Sequence, residues 1–486
     1  MADIDAGATN ATRRFELVDC QLFSRLSGDV NPMHLDAVSA RRVVAGRIVV
    51  HGALVLLSAI DRVASGDRSK VGSVACEFLN PVCVGDDVLF ELDERDTEYR
   101  VQATVLGQVC ATIRLTKGTA APIAAAPTAG EGVALMPVLG APLSRAPEEW
   151  EGVSGRVALP VADFEREFPA ACAWIGLNSV RTLASASYIV GMICPGLHSI
   201  ASSYRISIDA DAVLASDLCF FVERYDTRFR QIRIVLSGGS DGVLKAFVRP
   251  APSQQASIAS LSMVVRADEF AGARSLVVGA SRGIGEATAK LLAAGGGEVV
   301  LTWANGEADC QRVASEILAA GAQCAVLRFR AGIDDPRRLL RDSGPIQHAY
   351  YFATPRIFRK SAGLFDRGRF DEFIDTYASP FVRLCEGLND QDQASDIRVF
   401  HPSSVAISER PRGVTEYAMA KAAVELLTED LNKSLQRVTI LGERLPRIAT
   451  DQTATVFEVP AASAWEVMLP VVRRMHGAFT GASDRT

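Results

Sequence analysis

The chain has 486 residues, with 51 Lys and Arg against 57 Asp and Glu, for a formal charge of −6 at pH 7. It is 48% hydrophobic and 22% charged, which is enough apolar material for large cores, and its length suggests about three domains. A mildly acidic balance with no long basic run argues against a nucleic-acid binder and leaves small-molecule chemistry open.

Ten cysteines stand singly and no Cys-x-x-Cys occurs, so a reducing cytosol fits better than a disulfide scaffold. Residues 1–14 have no apolar core, and no signal peptide is expected. The strongest apolar stretch, 48–60, is too short to span a bilayer and contains His51. The expected setting is the cytoplasm, with no membrane partner.

In the first segment, 1–118, a loop leads to an apolar helix beginning at His51-Gly52. Strand-like runs follow at 74–79, 87–92, 99–106 and 108–115. Residues 119–148 are rich in Ala, Pro and Gly without a period, and read as a linker. The second segment, 149–268, repeats the order. A central helix is expected within 184–199, Cys194-Pro195-Gly196 takes the place of Val50-His51-Gly52, and strands follow at 203–208, 218–222, 229–236 and 242–248. A helix followed by antiparallel strands is an α+β pattern, and its recurrence points to a tandem duplication. The third segment, 269–486, alternates strands and helices: a buried strand at 276–278, a helix at 286–294, and strands at 298–303, 324–327, 349–352, 397–401 and 438–441. Such βαβ units imply an α/β fold with a doubly wound parallel sheet.

Two constellations carry chemistry. The first is Leu26-Ser27-Gly28-Asp29-Val30-Asn31-Pro32-Met33-His34, in which a turn can aim a carboxylate and an imidazole at one point for acid/base work on a shared water. Downstream, the amides at the Gly52 helix start can bind a developing oxyanion, with no side chain in the way. Singly, an Asn-Pro turn and a lone histidine are ordinary structural features. Together and in this order they resemble the MaoC-like (R)-specific enoyl hydratases and 3-hydroxyacyl dehydratases of the hotdog fold, over about residues 15–116. The resemblance implies that Asp29 and His34 are the catalytic pair and that Gly52 supplies the oxyanion donor. It implies an acyl thioester substrate, on CoA or a carrier protein. The second repeat lacks the motif, and His198 is its sole histidine. It is expected to be a non-catalytic hotdog that completes a double-hotdog sheet and walls the acyl tunnel.

The second constellation starts at Gly279-Ala280-Ser281-Arg282-Gly283-Ile284-Gly285, after a buried strand and opening a helix, where backbone can approach a pyrophosphate. Tyr417 and Lys421, at i and i+4, share a helix face, and Ser404 follows a strand. Alone, the pair is an ordinary i,i+4 contact. All three features resemble the short-chain dehydrogenase/reductase family, especially its 3-oxoacyl-thioester reductases, over about 273–482. The resemblance implies that Tyr417 donates the proton and Ser404 holds the substrate oxygen. Lys421 then binds the nicotinamide ribose and lowers the Tyr417 pKa. The second strand ends in Thr302-Trp303-Ala304-Asn305 without an acid, and Arg282 lies in the glycine turn, so NADP(H) is favoured over NAD. No metal is implied, and family habit implies a homodimer or higher homo-oligomer.

Three departures are visible. Tyr351-Phe352-Ala353-Thr354 stands where the family has Asn-Asn-Ala-Gly, Tyr377 replaces a relay Asn, and the chain stops at 481–486, where relatives continue into a strand. The reading reached is a bifunctional ketoreductase and dehydratase of fatty-acid-like or polyketide assembly. The alternatives are a hydratase/dehydratase with a degenerate nucleotide-binding domain, or an assembly subunit that docks a carrier through the basic residues Arg356, Arg359, Lys360, Arg367 and Arg369.

Overall fold

The computed structural model describes residues 10–43, 45–64, 68–119, 123, 140–358, 364–391, 396–456 and 459–477. Most of the linker expected at 119–148, part of the basic segment 356–360 and the terminus 481–486 lie outside these residues. The chain divides into two compact units, Met1–Ala251 with Thr455–Glu458, and Pro252–Ala454 with Val459–Thr486. The boundary expected at 269, where a strand-rich region gives way to an α/β pattern, falls inside the second. Among the described residues, no helix is long and apolar enough to cross a membrane.

The first unit runs β1 (Asn10–Arg14), α1 (Leu17–Ser27), α2 (Ala37–Ala40), α3 (Gly52–Val63), β2 (Val71–Phe78), β3 (Asp87–Glu94), β4 (Glu98–Val105) and β5 (Gln108–Lys117). It continues with β6 (Ser154–Ala158), α4 (Phe164–Glu167), α5 (Pro169–Ile175), α6 (Leu177–Tyr188), a π-helical turn (Ile189–Ile193), β7 (Ser199–Ser207), β8 (Asp217–Asp226), β9 (Gln231–Ser237) and β10 (Gly242–Val248). Its strands form one sheet, β1-β3-β4-β5-β2-β7-β10-β9-β8-β6, antiparallel throughout. Both halves use the same internal order, and they join where β2 pairs β7, from Ser73↔Ser207 to Glu77↔Ser203. Burial alternates along β3 and β4, whereas α3 is buried along nearly its whole length against β3, β4 and α6. A helix wrapped by a curled antiparallel sheet, twice over, is the expected double hotdog.

One alignment of the two halves is corrected. Cys194-Pro195-Gly196 does not occupy the place of Val50-His51-Gly52, because it follows the central helix of the second half instead of opening it. That helix starts at Leu177 behind Gly176, so the counterpart of His51-Gly52 is Gly176-Leu177.

The second unit runs α7 (Ile258–Leu261), β11 (Arg274–Val278), α8 (Gly283–Ala294), β12 (Glu298–Trp303), α9 (Glu307–Ala319), β13 (Cys324–Arg328), α10 (Pro336–Ser343) and β14 (His348–Tyr351). It ends with α11 (Arg367–Tyr377), α12 (Ser379–Asn389), β15 (Ile397–Ser404), α13 (Ala406–Glu409), α14 (Thr415–Ser434), β16 (Val438–Leu445) and α15 (Ala464–His476). Its sheet, β13-β12-β11-β14-β15-β16, is parallel in every pair. Apolar cores lie on both faces, as the continuous buried run Ser275 to Val278 in β11 requires. The strand order reverses between β11 and β14, which makes their carboxyl ends the natural ligand crevice of this Rossmann-type sheet.

Candidate active sites

The first site begins where α1 ends. Gly28 closes the helix in the left-handed region (φ +81°), and the Tyr188 ring lies 3.1 Å from where a Cβ would stand. The chain thus turns sharply into Asp29, Asn31 and His34. Asn31 caps the Pro32–His34 turn, and its Nδ2 donates to the carbonyls of Gly191 (2.9 Å) and Gly196 (3.1 Å). The expected pair is brought together: Asp29, His34 and His51 place ligating atoms within 4.8 Å of one another, all buried.

Hydrogen bonds fix the tautomers. His34 Nδ1 lies 2.6 Å from the Val49 carbonyl, which can only accept, so Nδ1 carries the proton and Nε2 is left as a base. By the same reasoning His51 Nε2 donates to the Asp29 carbonyl at 3.0 Å, while its buried Nδ1 has no partner. The two rings stack at 3.9 Å. Burial lowers the pKa of both histidines, and the Asp29 carboxylate opposes this at His34. Burial raises Asp29, against the pull of His34 and of hydrogen bonds from the Ser187 hydroxyl (2.7 Å) and the Asn31 amide (3.2 Å).

Ser187 belongs to α6, in the half read as non-catalytic. That half supplies more than a wall: Gly191 lies so close that a Cβ there would collide with the Asp29 carboxylate. Gly52 is the first residue of α3, so its N–H lacks an intrahelical acceptor. A Cβ on Gly52 would come 2.9 Å from the Phe78 ring, which rests edge-on against Tyr204. His51, Ser187 and Gly191 were not singled out from sequence. His51 carried a weak signal beside Gly52, but the other two carried none.

At the second site, the glycine turn has the shape its sequence requires. Gly279 sits at φ +85°, and its N–H donates to Thr302 Oγ1 at 3.0 Å. A Cβ on Gly285 would strike the Gly279 carbonyl, so helix α8 packs against the turn only with glycine there. Ser281 is buried and Ile284 is half-buried against the core. Gly283, at φ +59°, lies under Thr450. Arg282 is within 3.3 Å of Asp451, an ion pair invisible in the local sequence.

Ser404 ends β15, and Tyr417 and Lys421 face it from α14. The Ser404 hydroxyl is near enough to the Tyr417 phenol to favour its ionised form. The expected lowering of Tyr417 by Lys421 is not what the geometry gives. Burial raises Tyr417, Ser404 is the group that opposes it, and Lys421 directs its ammonium 2.7 Å to the Pro402 carbonyl. Burial also pulls Lys421 down to about 7. Tyr377, at the place of the relay Asn, lies beside the triad, with Lys421 Nζ 4.0 Å from its ring centroid. Its hydroxyl is 2.5 Å from Thr354 Oγ1.

Of the five basic residues proposed for carrier docking, Arg359 and Lys360 lie outside the described residues, and two others have acidic partners. Arg367 pairs with Asp371 at 2.9 Å, and Arg369 is buried against Glu416 at 3.8 Å.

Residues 7–112 match the family model described as "MaoC like domain", and residues 274–459 match "short chain dehydrogenase". The chain joins a MaoC-like domain to a short-chain dehydrogenase domain. Over 86 residues the MaoC-like domain is 34% identical to an (R)-specific enoyl-CoA hydratase of Aeromonas caviae, an alignment that covers 17% of this chain and 63% of that protein. The short-chain dehydrogenase domain is 29% identical over 186 residues to an NADPH-dependent aldehyde reductase-like protein, chloroplastic, of Arabidopsis thaliana, covering 34% of this chain and 68% of that protein. Among solved structures, the chain is similar to a short-chain dehydrogenase from Burkholderia cenocepacia J2315 in complex with NADP. The identity is 21% and the TM-score 0.39, over 45% of this chain and 94% of that one.

Proposed function

We propose that the chain is a bifunctional enzyme, an NADPH-dependent 3-oxoacyl-thioester reductase and an (R)-3-hydroxyacyl-thioester dehydratase, in fatty-acid-like or polyketide assembly. The observation that carries this reading is the presence on one chain of both a buried Asp29–His34 pair and a Ser404–Tyr417–Lys421 set. The product of the second is the substrate of the first. The curated relatives, a hydratase and an NADPH-dependent reductase-like protein, support the two halves separately.

The residues present fit a dinucleotide. The turn at Gly279, Gly283 and Gly285 leaves backbone where side chains would block it, and Ser281 and Ile284 belong to the same turn. No acid stands at 302–305 to repel a 2′-phosphate, and Arg282 is at hand once exchanged from Asp451. When bound, NADPH supplies the hydride. Lys421 is suited to the ribose, Ser404 to the 3-oxo oxygen, and Tyr417 gives that oxygen its proton.

In the MaoC-like domain the thioester oxygen is stabilised at the N-terminus of α3 by the Gly52 amide, which acidifies C2. His34 Nε2, unprotonated and buried, takes the C2 proton, and the Asp29 carboxyl, raised toward its protonated form by burial, gives its proton to the C3 hydroxyl. The C3–O bond breaks as water leaves, and the C2–H electron pair forms the C2–C3 double bond. Burial that disfavours charge on both groups keeps such a proton exchange close to balanced.

The test is mass spectrometry of products from a 3-oxoacyl thioester and NADPH, with matched CoA and carrier-linked substrates. The full chain is expected to give the 2-enoyl thioester, Asp29→Asn to stop at the 3-hydroxy stage, and Tyr417→Phe to lose NADPH consumption while still hydrating crotonyl thioester. Hydration without any NADPH consumption by the unaltered chain would leave a dehydratase with an inert second domain.

A further inference from the structure

We propose that Tyr377 is the positioning residue of the reductase centre, its ring face and the Pro402 carbonyl together fixing the Lys421 ammonium one helical turn from Tyr417. The proposal rests on the reductase reading for its role, though not for its test.

The geometry is specific. Tyr377 ends α11, is fully buried, and stacks on Phe373. The Tyr377 hydroxyl shares a 2.5 Å hydrogen bond with Thr354 Oγ1, which itself lies 3.1 Å from the Pro355 carbonyl. Packing against Phe373 and Tyr417 holds the buried ring in the plane on which Lys421 Nζ rests, 4.0 Å from the centroid. The ammonium therefore meets an aromatic face where a polar relay group would otherwise stand. A desolvated cation over an aromatic ring gains stabilisation that partly offsets the burial pulling Lys421 down. The other groups around it are accounted for. From β15 come His401, held neutral by burial and by Lys421 itself, and Ser404; from α14 come Tyr417 and, one turn on, Glu425. Glu425 is committed to Ser403 and to Arg444 at 2.8 Å. Among these, Tyr377 is the group that can hold the charged form without taking its proton.

The experiment is an NMR titration of the whole, cofactor-free chain carrying Cε-labelled lysine, with the Lys421 signal assigned by its loss in Lys421→Arg. The ring favours the ammonium, so its removal lets burial act unopposed and the titration midpoint falls. Tyr377→Phe is expected to titrate with the unaltered chain, and Tyr377→Leu about one pH unit lower. Tyr377→Met, a second non-aromatic replacement, is expected to follow Tyr377→Leu, and Tyr377→Trp to restore the midpoint. Equal midpoints for the aromatic and aliphatic variants overturn the proposal. So does a fall in Tyr377→Phe as large as in Tyr377→Leu, which would move the effect from ring to hydroxyl. Because no turnover is needed, failure of the unaltered chain to oxidise NADPH sinks the reductase reading alone.

Discussion

Ser187 donates to a carboxylate that is only 1% exposed, and a donor aimed at a buried charge favours the ionised form. Replacing it by alanine removes that preference and leaves Asp29 higher still. At a given pH a smaller fraction of Asp29 is then ionised, so an acid limb that reports ionised Asp29 moves toward higher pH. Ser187→Ala is expected to slow crotonyl-thioester hydration about tenfold near neutrality, the size of one charged hydrogen bond. Rate against pH checks it, and an unshifted limb would show that Ser187 only fills space. Much of this site was legible because Asp29, His34 and Gly52 lie close in sequence and their spacing is itself the signal. Ser187 is 158 residues from Asp29, Thr354 is 23 from Tyr377, and Asp451 is 169 from Arg282; no local pattern reports such neighbours.

Glycines decide where elements touch. Gly191 sits in the π-helical turn after α6, and a methyl there would meet the Asp29 carboxylate. Gly191→Ala is expected to reduce hydration at least a hundredfold by displacing Asp29, with NADPH binding untouched. Gly285→Ala is its mirror, because its methyl meets the Gly279 carbonyl: NADPH binding is lost and hydration stays. Parallel assays of both variants check this, and a Gly191→Ala chain that hydrates normally refutes the packing argument. The same elements explain where sequence reading stopped. The eight strands after the central helices alternate or run apolar, and all were expected. Edge strands β1 (NATRR) and β6 (SGRVA) are short and join through backbone bonds, so their side chains carry no period. Helix α6 (LNSVRTLASASY) is buried almost throughout yet rich in Ser, Thr and Asn. Its apolar signal emerges only near its end, which is why its start was placed too late.

Each unit holds its own apolar core, one between Phe15 and Val248, the others beyond Ile258. The length that suggested about three domains therefore corresponds to two compact units, because the first two segments share one sheet through β2 and β7. Cores of this size melt as cooperative blocks, so heating is expected to give two transitions. On the proposed reading NADPH binds the second unit, and a ligand at about 100 times its dissociation constant adds about 2.7 kcal/mol to the unit that holds it. For a block of this length that is a rise of about 5–10 °C in one transition, with the other unmoved. Arg282→Ala, which removes the cation proposed for the 2′-phosphate, is expected to shrink that rise with NADPH while leaving the smaller one with NADH. Scanning calorimetry with each nucleotide checks both. A single transition that moves as a whole would mean the units unfold together, and equal rises with NADPH and NADH would remove Arg282 from cofactor choice.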